Sequence, residues 1–466
     1  MSAGTILAID VGTTSIKAAL IDGEGALRWS DRERIGHHIA DVDSFEARFW
    51  LDALGRLLGR REAASGSDHI AGVVISGHGP TLVPIDAEGS ELSPVLLWLD
   101  GREERLDGQP SFFLPKVAWL KHRHPSVYRR AALFLSCPEY LSYALSGSAA
   151  TVTPSEEFTP YIWTEASIRD YGLAPEKFPP FVTPSARIGS VTPDAASMYD
   201  LPAGIPVYAG GSDFLMSLLG TGAVEPGTTS DRAGTSEGIN YCAETPVADQ
   251  RLRVLPHIIP GRYNVAGILS STGTIFEWYR NMSGQTQRGY DEMLRDIDAV
   301  PMGRHIPWFF PSIHQGGAWE FSRGMFIELG SSHGSAEMGR AVVESIGYAV
   351  CEAIDMLEES GCRIESLRAC GGQARNDTWN QLKADIVGKP IDVGAIIDAE
   401  LLGGACCGMV GEGWFGSLAE ASASLYRKVR RYEPDGERHG HFQRRYRRYG
   451  EAYGRFRRAL ADCGVL

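Results

Sequence analysis

The chain has 466 residues, room for two large domains or three ordinary ones at about 150 residues each. Its 43% hydrophobic, 22% charged and 9% aromatic residues are globular proportions, sufficient to bury a core without disulfide or metal staples. A net charge of -13, from 45 basic against 58 acidic residues, disfavours general binding of nucleic acid or an anionic membrane, so neither is expected as a partner. Any phosphorylated ligand must then be held by local geometry. Glycine is in excess: 54 of 466 residues, about 12% against about 7% in ordinary chains.

The eight cysteines include no C-x-x-C pair and read as buried, reduced thiols of a cytoplasmic protein. The N-terminus lacks the basic, apolar and small-residue succession of a signal peptide, and Asp10 interrupts its first apolar run. The 205–224 stretch comes nearest to a membrane span but contains Asp213 and four glycines.

In chain order, residues 5–9 (TILAI) predict a buried strand, 10–15 a polar turn, Ile16 to Ile21 a second strand, and 22–25 a further turn. Helical spacing follows over 46–60, then a short internal strand over 70–75. Pro206 to Ala209 reads as a strand leading through Gly210-Gly211 to Asp213, and Phe214 to Leu219 as a helix. A Gly/Thr-rich stretch at 221–236 marks a boundary near 226, giving domains 1–225 and 226–466. Beyond it the chain repeats its opening in kind: Gly234-Thr235-Ser236, then strand-like Gly238 to Cys242. Residues 336–359 predict a long core helix with Ser335 as N-cap and Gly361 as stop. Leu367 to Cys370 is a strand, Gly371-Gly372 a turn, and Asn376 the cap of a helix through Trp379, Leu382 and Ile386. The tail from Arg427 to Arg458 is basic with interleaved tyrosines. It reads as an amphipathic C-terminal helix with solvated or paired arginines rather than a nucleic-acid surface.

The only Gly-Lys pair, Gly388-Lys389, precedes Pro390, which excludes a Walker A loop. Gly411 to Gly416 matches G-x-G-x-x-G but follows a small-residue helix, without a βαβ unit. Gly234-Thr235-Ser236-Glu237-Gly238 matches the G-x-S-x-G elbow of a serine hydrolase using Ser236. That elbow needs a helix directly after the serine, whereas residues 239–242 look extended. The opening turn is more informative. Backbone N–H groups of Gly12, Thr13 and Thr14 can meet phosphate oxygens, and an acid at the end of the buried strand, Asp10, can hold Mg2+ through water. The recurrence at Gly234-Thr235-Ser236 points to a second phosphate-binding hairpin.

Five ordered blocks carry a family likeness: AIDVGTTSIKAALID at 8–22, LLWLDGR at 96–102, LPAGIPVYAGGSDF at 201–214, AGTSEGI at 233–239 and ACGGQARNDTWNQLKADIVGKPIDV at 369–393. Together they resemble the FGGY carbohydrate kinases, of the actin-like and sugar-kinase ATPase superfamily. The resemblance implies an α/β fold of two ribonuclease-H-like domains with a cleft between them. It also implies ATP and Mg2+ as cofactors and phosphoryl transfer to a hydroxyl of a sugar or polyol, a ketopentose such as xylulose first among them. A homodimer is compatible with it. By the same resemblance Asp213 is the catalytic base and, with Asp10, a metal-site acid. Gly12, Thr13, Thr14 and Lys17 line one phosphate loop and Gly234, Thr235 and Ser236 the other. Gly371, Gly372 and Gln373, with Asn376, form the adenosine turn, and Trp98, Asp100 and Arg102 the acceptor side.

Each residue also has an ordinary reading: Asp213 as a helix cap, Gly371 to Gln373 as a helix-entry turn, Asp100 and Arg102 as a surface ion pair. Two positions depart from the family's better-known branches. His78-Gly79-Pro80 stands where xylulose kinases carry Q-M-H-G and glycerol kinases Q-R-E-T, and Phe214 follows the base where Asn or Gln is usual. His78 can replace a lost hydroxyl contact or serve as a structural histidine. The acceptor is thereby left open to another ketose, a tetritol or glycerol. An ATP-driven switch without a sugar acceptor is the alternative of a different class.

Overall fold

The computed structural model describes residues 4–36, 44–61, 69–312, 321 and 323–464. The chain forms two compact units. One comprises Met1–Val224, Pro256–Gly261 and Ala399–Tyr426; the other comprises Glu225–Leu255, Arg262–Asp398 and Arg427–Leu466.

The first unit is built on strands β1 (Thr5–Val11), β2 (Ser15–Asp22), β3 (Leu27–Arg34), β4 (Ile70–Gly77), β5 (Arg187–Ser190) and β6 (Pro206–Ser212). Their order is β3-β2-β1-β4-β6-β5. The first three form an antiparallel meander; β4 runs parallel to β1 and β6 parallel to β4. Every residue of β1 is buried, which explains the consecutive apolar residues Ile6 to Ile9: a strand covered on both faces has no reason to alternate. Leu7, Ile9 and Val11 share a core with Trp50, Ala53, Leu54 and Leu57 of helix α1 (Arg48–Leu58), whose apolar residues recur at helical spacing. Helix α2 (Asp213–Gly220) starts directly beyond β6.

The second unit repeats this plan. Strands β7 (Thr229–Ala233), β8 (Glu237–Ala243), β9 (Arg253–Pro256) and β10 (Tyr263–Leu269) lead into helices α3 (Thr272–Met282) and α4 (Ser335–Glu359). Strand β11 (Leu367–Cys370), helix α5 (Asp377–Val387) and strand β12 (Ile391–Gly394) follow. The sheet order is β9-β10-β8-β7-β11-β12-β13, where β13 is Lys428–Tyr432. Here too a meander (β7, β8, β10) is flanked by two parallel strands and closed by an antiparallel edge strand. Two such sheets are the pair of ribonuclease-H-like cores expected from the sequence.

Between β12 and β13 lies helix α6 (Ala399–Gly411), which belongs to the first unit and covers the face of β1 opposite α1. Its glycines allow that packing. A Cβ at Gly403 would sit 1.9 Å from the carbonyl oxygen of Met216 on α2, and one at Gly408 would sit 2.6 Å from Ile6. This accounts for part of the glycine excess that the motifs leave unexplained.

Two local expectations change. The basic tail is not helical from Arg427: Lys428–Tyr432 adds an edge strand to β12, and helix α7 (Gly436–Asp462) starts only at its Asp435 cap. Its arginines are in part paired, Arg438 with Asp298 and Arg445 with Glu344, while Tyr449 packs on Phe310. Secondly, Ser335 is the first residue of α4 rather than its cap. Gly334 holds the cap position, and its N–H donates to Glu337. Among the described residues, no helix is long and apolar enough to cross a membrane.

Candidate active site

In the first unit the parallel strands end together, the usual position for ligand sites in open α/β sheets. Asp10 on β1 is in register with Ser76 on β4, and Asp213 follows β6. Asp10 is only 3% exposed, and its Oδ1 accepts a hydrogen bond of 2.8 Å from the Ser76 hydroxyl. Burial, followed by repulsion from Glu400 and Asp213, pushes the Asp10 carboxyl up to about 7 against the pull of Lys17 and Ser76. Lys17 is the residue directly opposite Asp10 on β2.

Asp213 is the first residue of α2, and Ser212 takes the N-cap position. The Asp213 carboxylate accepts the Phe214 N–H at 2.6 Å, and its charge acts on Asp10, His78 and Cys137. Phe214 is half-buried. The turn from Gly12 to Ser15 closes through the Gly12 N–H on the Ser15 carbonyl at 3.0 Å and leaves Thr14 exposed.

His78, Trp98 and this turn are linked. The Trp98 N–H donates to Thr81 Oγ1 at 3.0 Å, and the same hydroxyl lies 2.8 Å from His78 Nδ1 in a second hydrogen bond. Burial lowers the His78 pKa to about 4, so the ring is neutral. The Trp98 indole N–H reaches Thr13 Oγ1 at 3.3 Å while the side chain stays 41% exposed. Asp100 and Arg102 do form an ion pair, but Asp100 is buried: the Arg102 Nε reaches both carboxylate oxygens at 2.9 Å. Burial opposes ionisation of Asp100, and the bonds from Arg102 outweigh it and hold the carboxyl below its ordinary value. The ammonium of buried Lys116 donates to the carbonyls of Leu97 and Asp100, fixing the backbone that carries Trp98.

The second unit assembles the other set. Gly234 and Thr235 are exposed in the β7–β8 turn, and the Gly234 N–H donates to the Ser236 carbonyl at 2.8 Å. Ser236 runs straight into strand β8, so the helix that a nucleophile elbow requires is missing and the hydrolase reading falls. Gly371 adopts φ 84°, and a Cβ there would lie 2.5 Å from the Ala233 carbonyl oxygen, which explains glycine at that turn. Asn376 caps α5, accepting the Trp379 N–H at 2.8 Å. The Gln373 amide donates to the Gly234 carbonyl at 3.1 Å and accepts from the Trp379 indole at 2.9 Å, tying the Gly371–Gln373 turn to the β7–β8 turn.

Sequence reasoning missed Ser76, Thr81, Lys116 and Glu400. Glu400, second residue of α6 and 4% exposed, left one signal: a lone carboxylate leading an otherwise apolar, small-residue helix. Among the described residues, no group of three or more His, Cys, Asp and Glu is arranged to hold a metal on its own. Asp10 and Asp213 fit instead the usual Mg2+ arrangement, in which one or two carboxylates act together with substrate phosphates and water.

Two duplicated sheets with acids at the strand ends and glycine-hydroxyl turns in both units define a phosphoryl-transfer enzyme of the sugar-kinase fold. The chain matches the FGGY family of carbohydrate kinases, N-terminal domain, over residues 5–109 and 103–220, and its C-terminal domain over 232–412. It is 26% identical to a xylulose kinase of Staphylococcus epidermidis over 93% of each chain. It is also 29% identical to an autoinducer-2 kinase of Escherichia coli K12, over 71% of this chain and 66% of that one. The crystal structure of a xylulose kinase from Rhodospirillum rubrum superposes with a TM-score of 0.81 at 22% identity, covering 98% of this chain and 99% of that one. The chain belongs to the FGGY family of carbohydrate kinases. It is a phosphotransferase that carries out ATP-dependent phosphorylation of a sugar, and the switch without an acceptor is set aside.

Proposed function

We propose that the acceptor is a ketopentose such as xylulose, with Asp213 as the base that takes the proton of the attacking hydroxyl. The observation that carries this reading is the convergence of Asp10, Asp213 and neutral His78 at the ends of parallel strands in the first unit. The Staphylococcus epidermidis relative, over 93% of its length, supports the sugar. His78, through its ring, and Trp98, through its exposed indole, bind the acceptor; Asp100 and Arg102 brace the same loop. The first unit, which holds residues 1–224 together with 256–261 and 399–426, is the sugar side, and the second unit is the nucleotide side.

The backbone N–H groups of Gly12 to Thr14, with Lys17, and those of Gly234 to Ser236 orient the phosphates, while Gly371 to Gln373 and Asn376 bound the adenosine. Asp213 accepts the hydroxyl proton as that oxygen bonds to the γ-phosphorus and the bond to the ADP oxygen breaks. Asp10 and Asp213 would hold Mg2+, which supplies charge neutralisation on the phosphates. The eight free cysteines, seven of them buried, fit a cytoplasmic enzyme.

The test is Mg-ATP turnover over a panel of pentuloses, hexuloses, tetritols and glycerol. Highest kcat/KM on xylulose is the expected result. Preference for another ketose is the second reading, favoured by His78-Gly79-Pro80 and Phe214. A tetritol or glycerol preference overturns the ketose assignment.

A further inference from the structure

Beneath the β7–β8 turn lies a cluster that the reaction does not use. Lys383 Nζ donates to Asp231 Oδ2 and to Glu237 Oε1, both at 2.6 Å. All three side chains are almost wholly buried, at 2%, 0% and 0% exposure. Asp231 lies on β7 and Glu237 opens β8, so the carboxylates bracket the Gly234–Ser236 turn from its two strands. Lys383 comes from α5, two helical turns beyond the Asn376 cap.

The contacts form a closed ring. From Lys383 the path runs to the Trp379 ring, whose centroid is 5.2 Å from the ammonium, and from the Trp379 indole to the Gln373 amide. Gln373 then returns to the turn through the Gly234 carbonyl and bonds Thr272 on α3 at 3.3 Å. The Gly273 N–H of α3 also donates to the Thr235 carbonyl at 3.1 Å. The turn is therefore held from above by Gln373 and α3 and from below by the ion cluster.

A buried ion cluster is an expensive way to gain stability, because desolvation offsets much of the attraction and apolar residues often serve as well. Its best-attested use is to fix register, and the register available here is that of the turn against α5. We propose that Lys383 is a positioning residue for ATP, locking the Gly234–Ser236 turn to the helix that carries the Gly371–Gln373 turn. This rests on the assignment of those two turns to the phosphates and the adenosine. Burial alone would discharge the lysine; the two carboxylates outweigh it and keep the ammonium charged. Burial likewise pushes the Glu237 carboxyl up, against the pull of the Lys383 ammonium.

The test is steady-state kinetics of full-length Lys383→Met with ATP and xylulose, or with the best acceptor of the panel, varied separately, beside Gly234→Val. A Cβ at Gly234 meets nothing nearer than 3.9 Å, so the exposed turn has room for the start of a side chain, and a native-like circular dichroism spectrum of Gly234→Val is the check that it folds. Lys383→Met is expected to raise KM for ATP about tenfold and to leave KM for the acceptor within about twofold. If Gly234→Val raises KM for ATP and folded Lys383→Met does not, the positioning role is wrong and the phosphate turn stands. If neither changes it, the turn assignment falls and the proposal with it. Equal changes in both KM values, or a lowered Tm with unchanged kinetics, mark a merely structural cluster and also overturn it. Should Lys383→Met not fold, the charge-balanced variant Asp231→Asn/Glu237→Gln/Lys383→Met takes its place under the same criteria.

Discussion

The Ser76 hydroxyl donates to Asp10 across 2.8 Å and so joins the ends of two parallel strands at the point where metal-bound ATP is proposed to sit. One carboxylate oxygen of Asp10 is thereby oriented before any ligand arrives. Removing such an outer partner usually costs about 10-fold to 100-fold in metal affinity or activity. Ser76→Ala should accordingly need more Mg2+ for half-maximal turnover, read from kcat against Mg2+ concentration, with a native-like circular dichroism spectrum.

Asp213→Asn keeps the shape of the group that receives the Phe214 N–H and removes its basicity. General-base removal costs about 10²-fold to 10⁴-fold in rate. Turnover should fall within that range while the Kd for ATP, measured calorimetrically, is unchanged. Wild-type-like turnover would refute the assignment of the base.

His78 sets a pH dependence of stability. Its folded pKa of about 4 lies below the ordinary 6.5, so between these values the unfolded chain binds more protons than the folded one. Stability therefore falls as pH drops through that window, by up to about 3 kcal/mol from this residue. His78→Asn should flatten the decline in Tm between about pH 6.5 and 4.5, and a curve parallel to wild type would contradict the burial argument.

Lys116 separates the two substrates in the opposite sense to Lys383. Its ammonium holds the carbonyls of Leu97 and Asp100, and burial lowers its pKa. Lys116→Met takes the ammonium from the Asp100 carbonyl and from the Leu97 carbonyl, which keeps only the Asp100 N–H, a loss of about 1–3 kcal/mol. KM for the acceptor should rise while KM for ATP stays constant.

Gly403→Ala should be the most destabilising single-methyl change in α6, because the new Cβ would lie 1.9 Å from a backbone oxygen that cannot rotate away. Overpacking of this kind costs about 1–3 kcal/mol or more. Denaturant unfolding of Gly403→Ala against Gly413→Ala would show that the cost comes from the contact, since Gly413 meets no neighbour and is strained only by its φ of 74°.

Much of this could be read from the residues because the governing interactions are local. The consecutive apolar residues Ile6 to Ile9 of β1 report burial on both faces, and Asn376 sits three residues before the N–H it caps. Gly12 and Gly234 lie in tight turns whose strands are adjacent in sequence. What escaped depends on distance along the chain. Lys383 meets carboxylates 146 and 152 residues away, and no spacing rule links them. Glu400 acts on Asp10 from a helix whose composition shows that it is buried but not where it docks. Strand β13 was hidden because its alternation is carried by Lys, Val and Arg, a pattern dominated by charge that reads as an exposed helix face.

The docking of α6 has a consequence for synthesis. The first unit receives its covering helix only when residue 411 of 466 has been made. Until then the sheet that has already left the ribosome carries Ile6, Ala8, Val74 and Tyr208 on a face with no partner, since these are the side chains that α6 glycines meet. The packing of the first unit is thus completed by a segment that is made only after most of the second unit.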